Sequence, residues 1–136
     1  MKVMSIDLGD VRTGVAVSDV TGFLAGRSVS ITQRDRDKLL EEILALIEKE
    51  KPGELVMGLP INMDGTEGPR AEKSRAFGDR LQEASGLPVK YMDERGSSIT
   101  ANRLLSDAGK KKGKQRAQVD AVAAAIILQN YLDSKR

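Results

Sequence analysis

Four acidic residues, in three segments spread over the chain, are the residues best suited to do chemistry. Asp7 lies in an apolar opening segment, Asp93 and Glu94 follow a short apolar run, and Asp120 lies in an alanine-rich segment. A carboxylate among apolar residues needs a partner or a metal ion to offset its desolvation. Acids from three segments that met at one point could hold two divalent ions, one activating a water molecule and one stabilising the leaving oxygen of a phosphodiester. The acids therefore predict a metal site for phosphodiester hydrolysis.

Each acid also has a simpler explanation. Asp120 could only complement the positive end of its helix, because we expect it in the first turn. Asp93 and Glu94 could be ordinary strand-end residues, one of them paired with Arg95. Asp7 is the hardest to explain in this way, since we expect it within a strand rather than at its end. The metal-site interpretation therefore depends on the three positions together.

The residue types that are absent narrow the chemistry. The chain of 136 residues contains no cysteine and no histidine. This excludes disulfides, thiolate zinc sites, cysteine nucleophiles, Ser-His-Asp triads and imidazole metal ligands. Carboxylates favour hard cations, so we expect Mg²⁺ or Mn²⁺ as the cofactor, with two ions at the site.

A basic segment lies directly before Asp120. Between Lys110 and Arg116, five of the seven residues are basic and none is acidic. Such a run is typical of a solvated loop, but beside a metal site it could clamp phosphates. Arg12 and Arg95 could also face phosphate, or each could pair with a site carboxylate. The candidate nucleic-acid-binding residues are therefore Arg12, Arg95, Lys110, Lys111, Lys112, Lys114 and Arg116.

The overall composition is that of an ordinary globular protein. Hydrophobic residues make up 40% and charged residues 31% of the chain, whose length predicts a single domain over residues 1–136. With no Trp, two Phe and two Tyr, the chain would hold a nucleic acid mainly through its phosphates rather than by base stacking. No segment predicts a membrane span and the start lacks a signal-peptide pattern, so we expect a cytoplasmic protein that binds no membrane.

The apolar periodicity predicts the elements that must position these residues. Alternation places Val3, Ser5 and Asp7 on one face of the first strand. The predicted strands are 2–8, 12–18, 25–32, 54–59 and 89–92, and the predicted helices are 35–51, 69–85, one from 97 or 98 to 108, and 118–132. The order βββ-α-β-α-β-α-α predicts an α/β fold with a mixed five-stranded sheet flanked by helices. The ends of its parallel strands form a cleft where the acids can converge.

Four motifs, in order along the chain, resemble those of the YqgF or RuvX family. They are Ile6-Asp7-Leu8-Gly9 with Arg12, Gly58-Leu59-Pro60 with Asn62-Met63-Asp64-Gly65, Asp93-Glu94-Arg95, and Val119-Asp120-Ala121. The resemblance implies a ribonuclease H-like fold, with Asp7, Glu94 and Asp120 as the catalytic, metal-binding acids. It implies a nuclease that processes the 5′ end of pre-16S ribosomal RNA, or a resolvase of four-way DNA junctions.

The chain also departs from this family at three positions. Ser5 stands where the family often has glycine, and Gly96 and Ser98 replace a bulkier residue and a threonine. The first change is expected to be harmless on a strand, whereas Gly96 could loosen the turn that follows Glu94.

The sequence leaves the binding partner and the oligomeric state of the protein open. The expected partner is nucleic acid, either precursor ribosomal RNA or branched DNA, with the ribosomal particle as a further partner. Symmetric cutting of a junction would require a homodimer, whereas RNA processing is also open to a monomer. A non-catalytic RNA-binding assembly factor would keep the basic segment and tolerate loss of the acids. An actin-like nucleotide-binding domain would open with a similar strand pair, but this chain is too short for a two-lobed cleft.

Overall fold

The computed structural model describes residues 1–22, 24–93 and 112–135, and describes only the backbone of residues 112–120. Its elements are β1 (Val3–Asp7), β2 (Arg12–Ser18), β3 (Ala25–Thr32), α1 (Arg36–Glu50), β4 (Glu54–Leu59), α2 (Pro69–Ser85), β5 (Val89–Asp93) and α3 (Lys112–Ser134). The helix predicted to end at residue 108 lies outside the described residues, as do Glu94, Arg95, Lys110 and Lys111. No helix in the described part of the chain is long and apolar enough to cross a membrane.

The predicted bounds of β2, β3, β4 and α2 are confirmed, and those of β1, α1 and β5 differ by one residue at one or both ends. One of these small differences concerns Asp7. It is the last residue of β1, so the expectation that it lies inside the strand is wrong by one position. The ladder stops there because Leu8 already leads into the turn at Gly9. Asp7 still pairs with Gly14 of β2, so its backbone is held by the sheet.

The start of α3 is the main correction. We expected this helix at residue 118, after a basic loop, but it begins at Lys112. Lysine, glutamine, arginine and alanine all favour helix, so the basic run continues the helix instead of preceding it. Lys112, Lys114 and Arg116 are therefore helical, and Asp120 lies in the third turn. Because the helix dipole acts mainly within the first turn, it no longer explains an acid at position 120.

The five strands form one mixed sheet in the order β3-β2-β1-β4-β5. β1 pairs antiparallel with β2 and parallel with β4, while β3 and β5 complete the antiparallel and parallel sides. β1 is the central strand, and this puts Asp7 in the middle of the edge where the parallel strands end.

Each face of the sheet is covered by different helices. Large side chains of β1 and β4 pack against α1 and α2 in a core formed by Met4, Ile6, Leu8, Val15, Leu39, Ile43, Leu55, Met57, Phe77 and Leu81. On the other face the sheet contributes the smaller residues Val3, Ala16 and Val56, which pack against Ala124, Ile127, Leu128 and Leu132 of α3. Asp7 shares the second face with Val3 and Ser5, because side chains alternate along a strand.

Ser5 fixes α3 to the central strand. Its side chain is fully buried, and its Oγ donates a hydrogen bond to the carbonyl oxygen of Ala124 at 2.7 Å. Just beyond the end of α3, Lys135 donates to Glu54, which pairs with Val3 across β4 and β1. The helix therefore runs antiparallel to β1, with its end beside Val3 and Ala124 beside Ser5. A glycine at this position could not donate the bond, so serine has a structural role that the sequence did not show.

We predict that Ser5→Ala lowers the free energy of unfolding by about 1 kcal/mol, because a buried hydrogen bond is lost. The measurement is urea denaturation of the wild type and the variant. Ser30→Ala is the matched control, since the buried Ser30 Oγ has no hydrogen-bond partner among the described residues. Its removal should leave stability unchanged or raise it. Equal losses in the two variants would show that Ser5 does not anchor the helix.

Candidate active site

Asp7 lies half-buried at the end of the central strand, with glycine beside it. Across the antiparallel pair it faces Gly14. On the parallel side the last paired residues are Ile6 and Met57, so the next position along β4 is Gly58. Glycine has no side chain, and its presence in a strand often marks close approach of a ligand or of another backbone. The sheet therefore leaves space on both sides of the Asp7 carboxylate.

The bond between Ser5 and Ala124 sets the approximate level of position 120 on the sheet. Asp7 is two residues beyond Ser5, about 6.6 Å along the strand. Position 120 is four residues before Ala124, about 6 Å along the helix in the opposite chain direction. Since Ser5 and Ala124 are joined by a hydrogen bond, we infer that position 120 lies on the α3 face near the level of Asp7. Their convergence with Glu94 at one site stays a prediction.

Asp93 belongs to the same edge but to the other face. Asp93 is the last residue of β5 and pairs with Leu59 of β4. Leu59 lies on the same face of the sheet as Met57, which packs in the core beneath α1 and α2. Paired residues point to the same side of a sheet, so Asp93 and Asp7 lie on opposite sides. Glu94 lies outside the described residues, so its place in the site stays a prediction.

Arg12 is the predicted phosphate-binding residue whose side chain the structure describes. It begins β2 and is half-buried, two residues before Gly14 on the face that also carries Asp7. Because β1 and β2 are antiparallel, the start of β2 lies at the end of β1. Arg12 therefore lies at the Asp7 edge, as a residue that contacts phosphate or pairs with a site carboxylate would.

The donor chemistry of this edge suits a divalent ion, although the described part of the site is incomplete. Carboxylate oxygens are the ligands that Mg²⁺ and Mn²⁺ prefer, and Asp7 offers one beside open space. Within the described side chains, no three acidic residues are grouped closely enough to hold a metal ion. The predicted set of Asp7, Glu94 and Asp120 includes one residue outside the description and one known only by its backbone.

The side chains of Arg36 and Thr13, which no sequence motif indicated, hold the turn that follows Asp7. A Cβ at Gly9 would collide with the carbonyl oxygen of Arg12, so only glycine fits this turn without rearrangement. Arg36, the first residue of α1, donates from Nη1 to the carbonyl oxygen of Gly9 at 2.9 Å. The Gly9 amide also donates to the buried Thr13 Oγ1 at 3.3 Å. No local pattern marks Arg36, because its partner is 27 residues away in the sequence.

The loop after β4 is a closed hairpin tied to α2. Ile61 bridges to Glu67, and the Asn62 amide donates to the carbonyl oxygen of Thr66 at 2.8 Å. Glu67 accepts two bonds from Arg75, one from Nε at 2.7 Å and one from Nη2 at 2.8 Å. The hydrogen bond from Arg75 holds the pKa of Glu67 below its ordinary value of 4.5. The same pair raises the pKa of Arg75.

We predict that acid loosens this loop. Since the pKa of Glu67 is lowered in the folded state, its pairing contributes stability above pH 4.5, which is lost as the pH falls through the folded-state pKa. Side-chain carboxyl NMR should show Glu67 titrating below 4.5 in the wild type and nearer to 4.5 in Arg75→Gln. Arg70→Gln, the same change on the preceding turn, should leave that titration where it was. A titration unmoved by Arg75→Gln would contradict the pairing.

The sheet order, the central acidic strand and the covering helix define the class of protein as ribonuclease H-like. RuvC of Thermus thermophilus, solved in complex with a Holliday junction substrate, aligns with a TM-score of 0.62 at 16% identity, over 99% of this chain and 95% of that chain. The Fowlpox virus resolvase, solved with Holliday junction DNA, aligns with a TM-score of 0.61 at 12% identity, over 99% of each chain. These likenesses establish the fold.

A family profile described as "RuvX: Holliday junction resolvase" matches residues 1–134, and the chain belongs to this family of nucleases. A relative from Halothermothrix orenii is 45% identical over 98% of this chain and 95% of its own length. Relatives from Streptococcus suis and Chloroflexus aurantiacus are 44% and 38% identical, again over 98% of this chain and over 98% and 88% of their own lengths. All three carry the name "Putative pre-16S rRNA nuclease". The resemblance inferred from the motifs is therefore confirmed.

Proposed function

We propose that this protein is a divalent-metal-dependent endonuclease that processes the 5′ end of pre-16S ribosomal RNA in the cytoplasm. The observation that carries the proposal is the hydrogen bond from Ser5 to Ala124, which supports the inference that Asp7 and position 120 lie near one level of the sheet. The names of the relatives support ribosomal RNA as the substrate. The ribosomal particle as its source is part of the proposal.

In this proposal Asp7, Glu94 and Asp120 hold two Mg²⁺ or Mn²⁺ ions. When bound, such ions activate water and stabilise the charge on the leaving oxygen of a phosphodiester. Asp7 contributes a carboxylate whose position is set by the central strand. Gly14, directly opposite, leaves room for the sugar–phosphate backbone to approach it.

The basic residues hold the substrate in register in the same proposal. Lys112, Lys114 and Arg116 lie in the first two turns of the helix that carries position 120, and Lys110, Lys111 and Arg95 complete the predicted set. Contacts from lysine and arginine to phosphate fix the orientation of a strand without reading its sequence. Arg12 adds a cation at the edge itself.

The experiment is cleavage of a pre-16S leader RNA in Mn²⁺, comparing the wild type with Asp7→Asn. We expect the variant to lose at least about a hundredfold in rate, because a carboxylate ligand worth several kcal/mol is removed. Chelation by EDTA should abolish the wild-type activity. Asp133→Asn is the control. It makes the same change from aspartate to asparagine near the end of α3, whereas position 120 lies toward the start of that helix.

Two outcomes would contradict this mechanism. Equal cleavage by the wild type and Asp7→Asn would mean that the activity belongs to another site or to a contaminant. RNA binding without cleavage by either protein, lost on Lys112→Gln with Lys114→Gln, would instead favour a non-catalytic assembly factor.

Resolution of four-way DNA junctions is a second candidate, favoured by the description of the family. It requires a homodimer that cuts two strands symmetrically. We expect the leader RNA to be cleaved faster than a synthetic four-way junction at equal protein concentration. Paired cuts in the junction by a protein that sediments as a dimer would reverse this assignment.

A further inference from the structure

A small basic cavity lies at the Asp7 edge of the sheet, on the face opposite to Asp7. Its volume is about 110 Å³, and it lies between the turn after β1 and the start of α2. The lining residues that matter here are Gly9, Asp10, Arg36, Arg70, Lys73 and Ser74.

The charges around this cavity favour an anion. Arg36 and Lys73 both approach the Asp10 carboxylate, at 3.4 and 3.9 Å. Arg70 makes no hydrogen bond or ion pair with another described side chain. Asp10 is largely in solvent, with 76% of its side chain exposed, so it neutralises the cations only in part. Three cations therefore face one acid.

Ser74 gives an independent reason to expect a ligand. Only 2% of this residue is exposed, yet it lines the cavity. Its hydroxyl makes no hydrogen bond with another described residue, yet its Oγ is not one of the fully buried unpartnered atoms, so the hydroxyl opens onto the cavity. A hydroxyl held there by a buried residue can donate to a bound anion. The Ser74 hydroxyl distinguishes this cavity from an ordinary cluster of surface cations.

The start of α2 lies at the same place, where Arg70 is the first-turn residue that both lines the cavity and has a backbone N–H. Its N-cap is Gly68, which makes no side-chain capping bond, and Pro69 follows as the first helical residue. Amide groups of the first turn of a helix have no partner within the helix, and they bind phosphate readily. The helix is 17 residues long, and Glu72, the acid of its first turn, does not line the cavity.

We propose that this cavity binds a phosphate of the nucleic-acid backbone, next to the scissile region. The inference deepens the proposed function, because the strand bound here is the substrate of the Asp7 site. Gly9 is two residues beyond Asp7, at most about 7 Å along the chain. A strand that crosses the edge of the sheet can thus place one phosphate at Asp7 and a nearby phosphate among Arg70, Lys73 and Ser74.

A second, larger groove continues the path. It has a volume of about 390 Å³ and shares Arg36 and Lys73 with the cavity before reaching Arg80. Arg80 is paired with Asp37 at 2.6 Å, so the groove becomes less positive with distance from the edge. The unpaired positive charge is therefore concentrated at the cavity, which is the end nearer to Asp7.

The test measures binding in EDTA, separately from cleavage. Fluorescence anisotropy follows a labelled single-stranded RNA and a labelled four-way DNA junction over a series of salt concentrations. Arg70→Gln with Lys73→Gln should weaken RNA binding about tenfold and reduce the slope of log K against log salt by about 1.4. Lys49→Gln with Lys51→Gln is the matched control, because it removes two positive charges about 20 Å away, at the far end of α1.

Ser74→Ala tests the cavity itself rather than its charge. Loss of one hydrogen bond to a phosphate should weaken RNA binding about tenfold with the salt slope unchanged. Alanine favours helix, so α2 should keep its stability, and the unfolding midpoint checks this.

The outcomes separate this inference from the proposed function. Binding of either nucleic acid that depends on Arg70, Lys73 and Ser74 supports the cavity, even if no RNA is cleaved. Wild-type affinity in both cavity variants, or equal losses in the Lys49 and Lys51 control, overturns it while the Asp7 mechanism can still stand. Ser74-dependent binding of inorganic phosphate alone, with nucleic-acid binding unchanged, would assign the cavity to a free anion and would also overturn the proposal.

Discussion

One buried hydrogen bond, from the Ser5 hydroxyl to the Ala124 carbonyl oxygen, determines where the last helix lies on the sheet. The apolar contacts around it, such as those of Val3 and Leu128, favour burial but are not directional. A helix held by such contacts alone could shift by a turn, about 5.4 Å, and still bury much the same area. A hydrogen bond depends steeply on distance and angle, so it selects one of these positions. From that position we infer that residue 120 lies near the level of Asp7.

The two faces of the sheet divide stability from chemistry. Large residues such as Met4, Ile6 and Leu39 fill the space beneath α1 and α2, where close packing contributes most of the hydrophobic stabilisation. Toward α3 the sheet carries smaller residues, with Ala16 buried against the helix and Gly14 opposite Asp7. Small side chains let the helix backbone approach the strands and leave space at the edge for a substrate. A ligand can therefore reach Asp7 without disturbing the larger core.

Much of the fold could be predicted because its elements follow local rules. The alternation in β2 and the stop at Pro60 after β4 were sufficient to give the observed strand bounds. The start of α3 could not be predicted in the same way, because a run of cations was interpreted from its charge rather than its helix propensity. The role of Ser5 depends on a partner 119 residues away. Ser74 is similar, since nothing in α2 distinguishes a serine that lines a cavity from one on a solvated face.

The distribution of charge explains how a nearly neutral protein can bind a polyanion. The formal net charge is only +2, so long-range attraction by the whole molecule is weak. Binding must then come from a few cations at defined places, and these lie on both faces of one edge, with the basic start of α3 on one side and Arg70 and Lys73 on the other. A flexible strand loses conformational entropy when it is held at two points, whereas a strand already bent by its own base pairing loses less. Under the proposed function, two contact points separated by a sheet edge would select for the shape of a folded nucleic acid, in a chain whose four aromatic residues offer little base stacking.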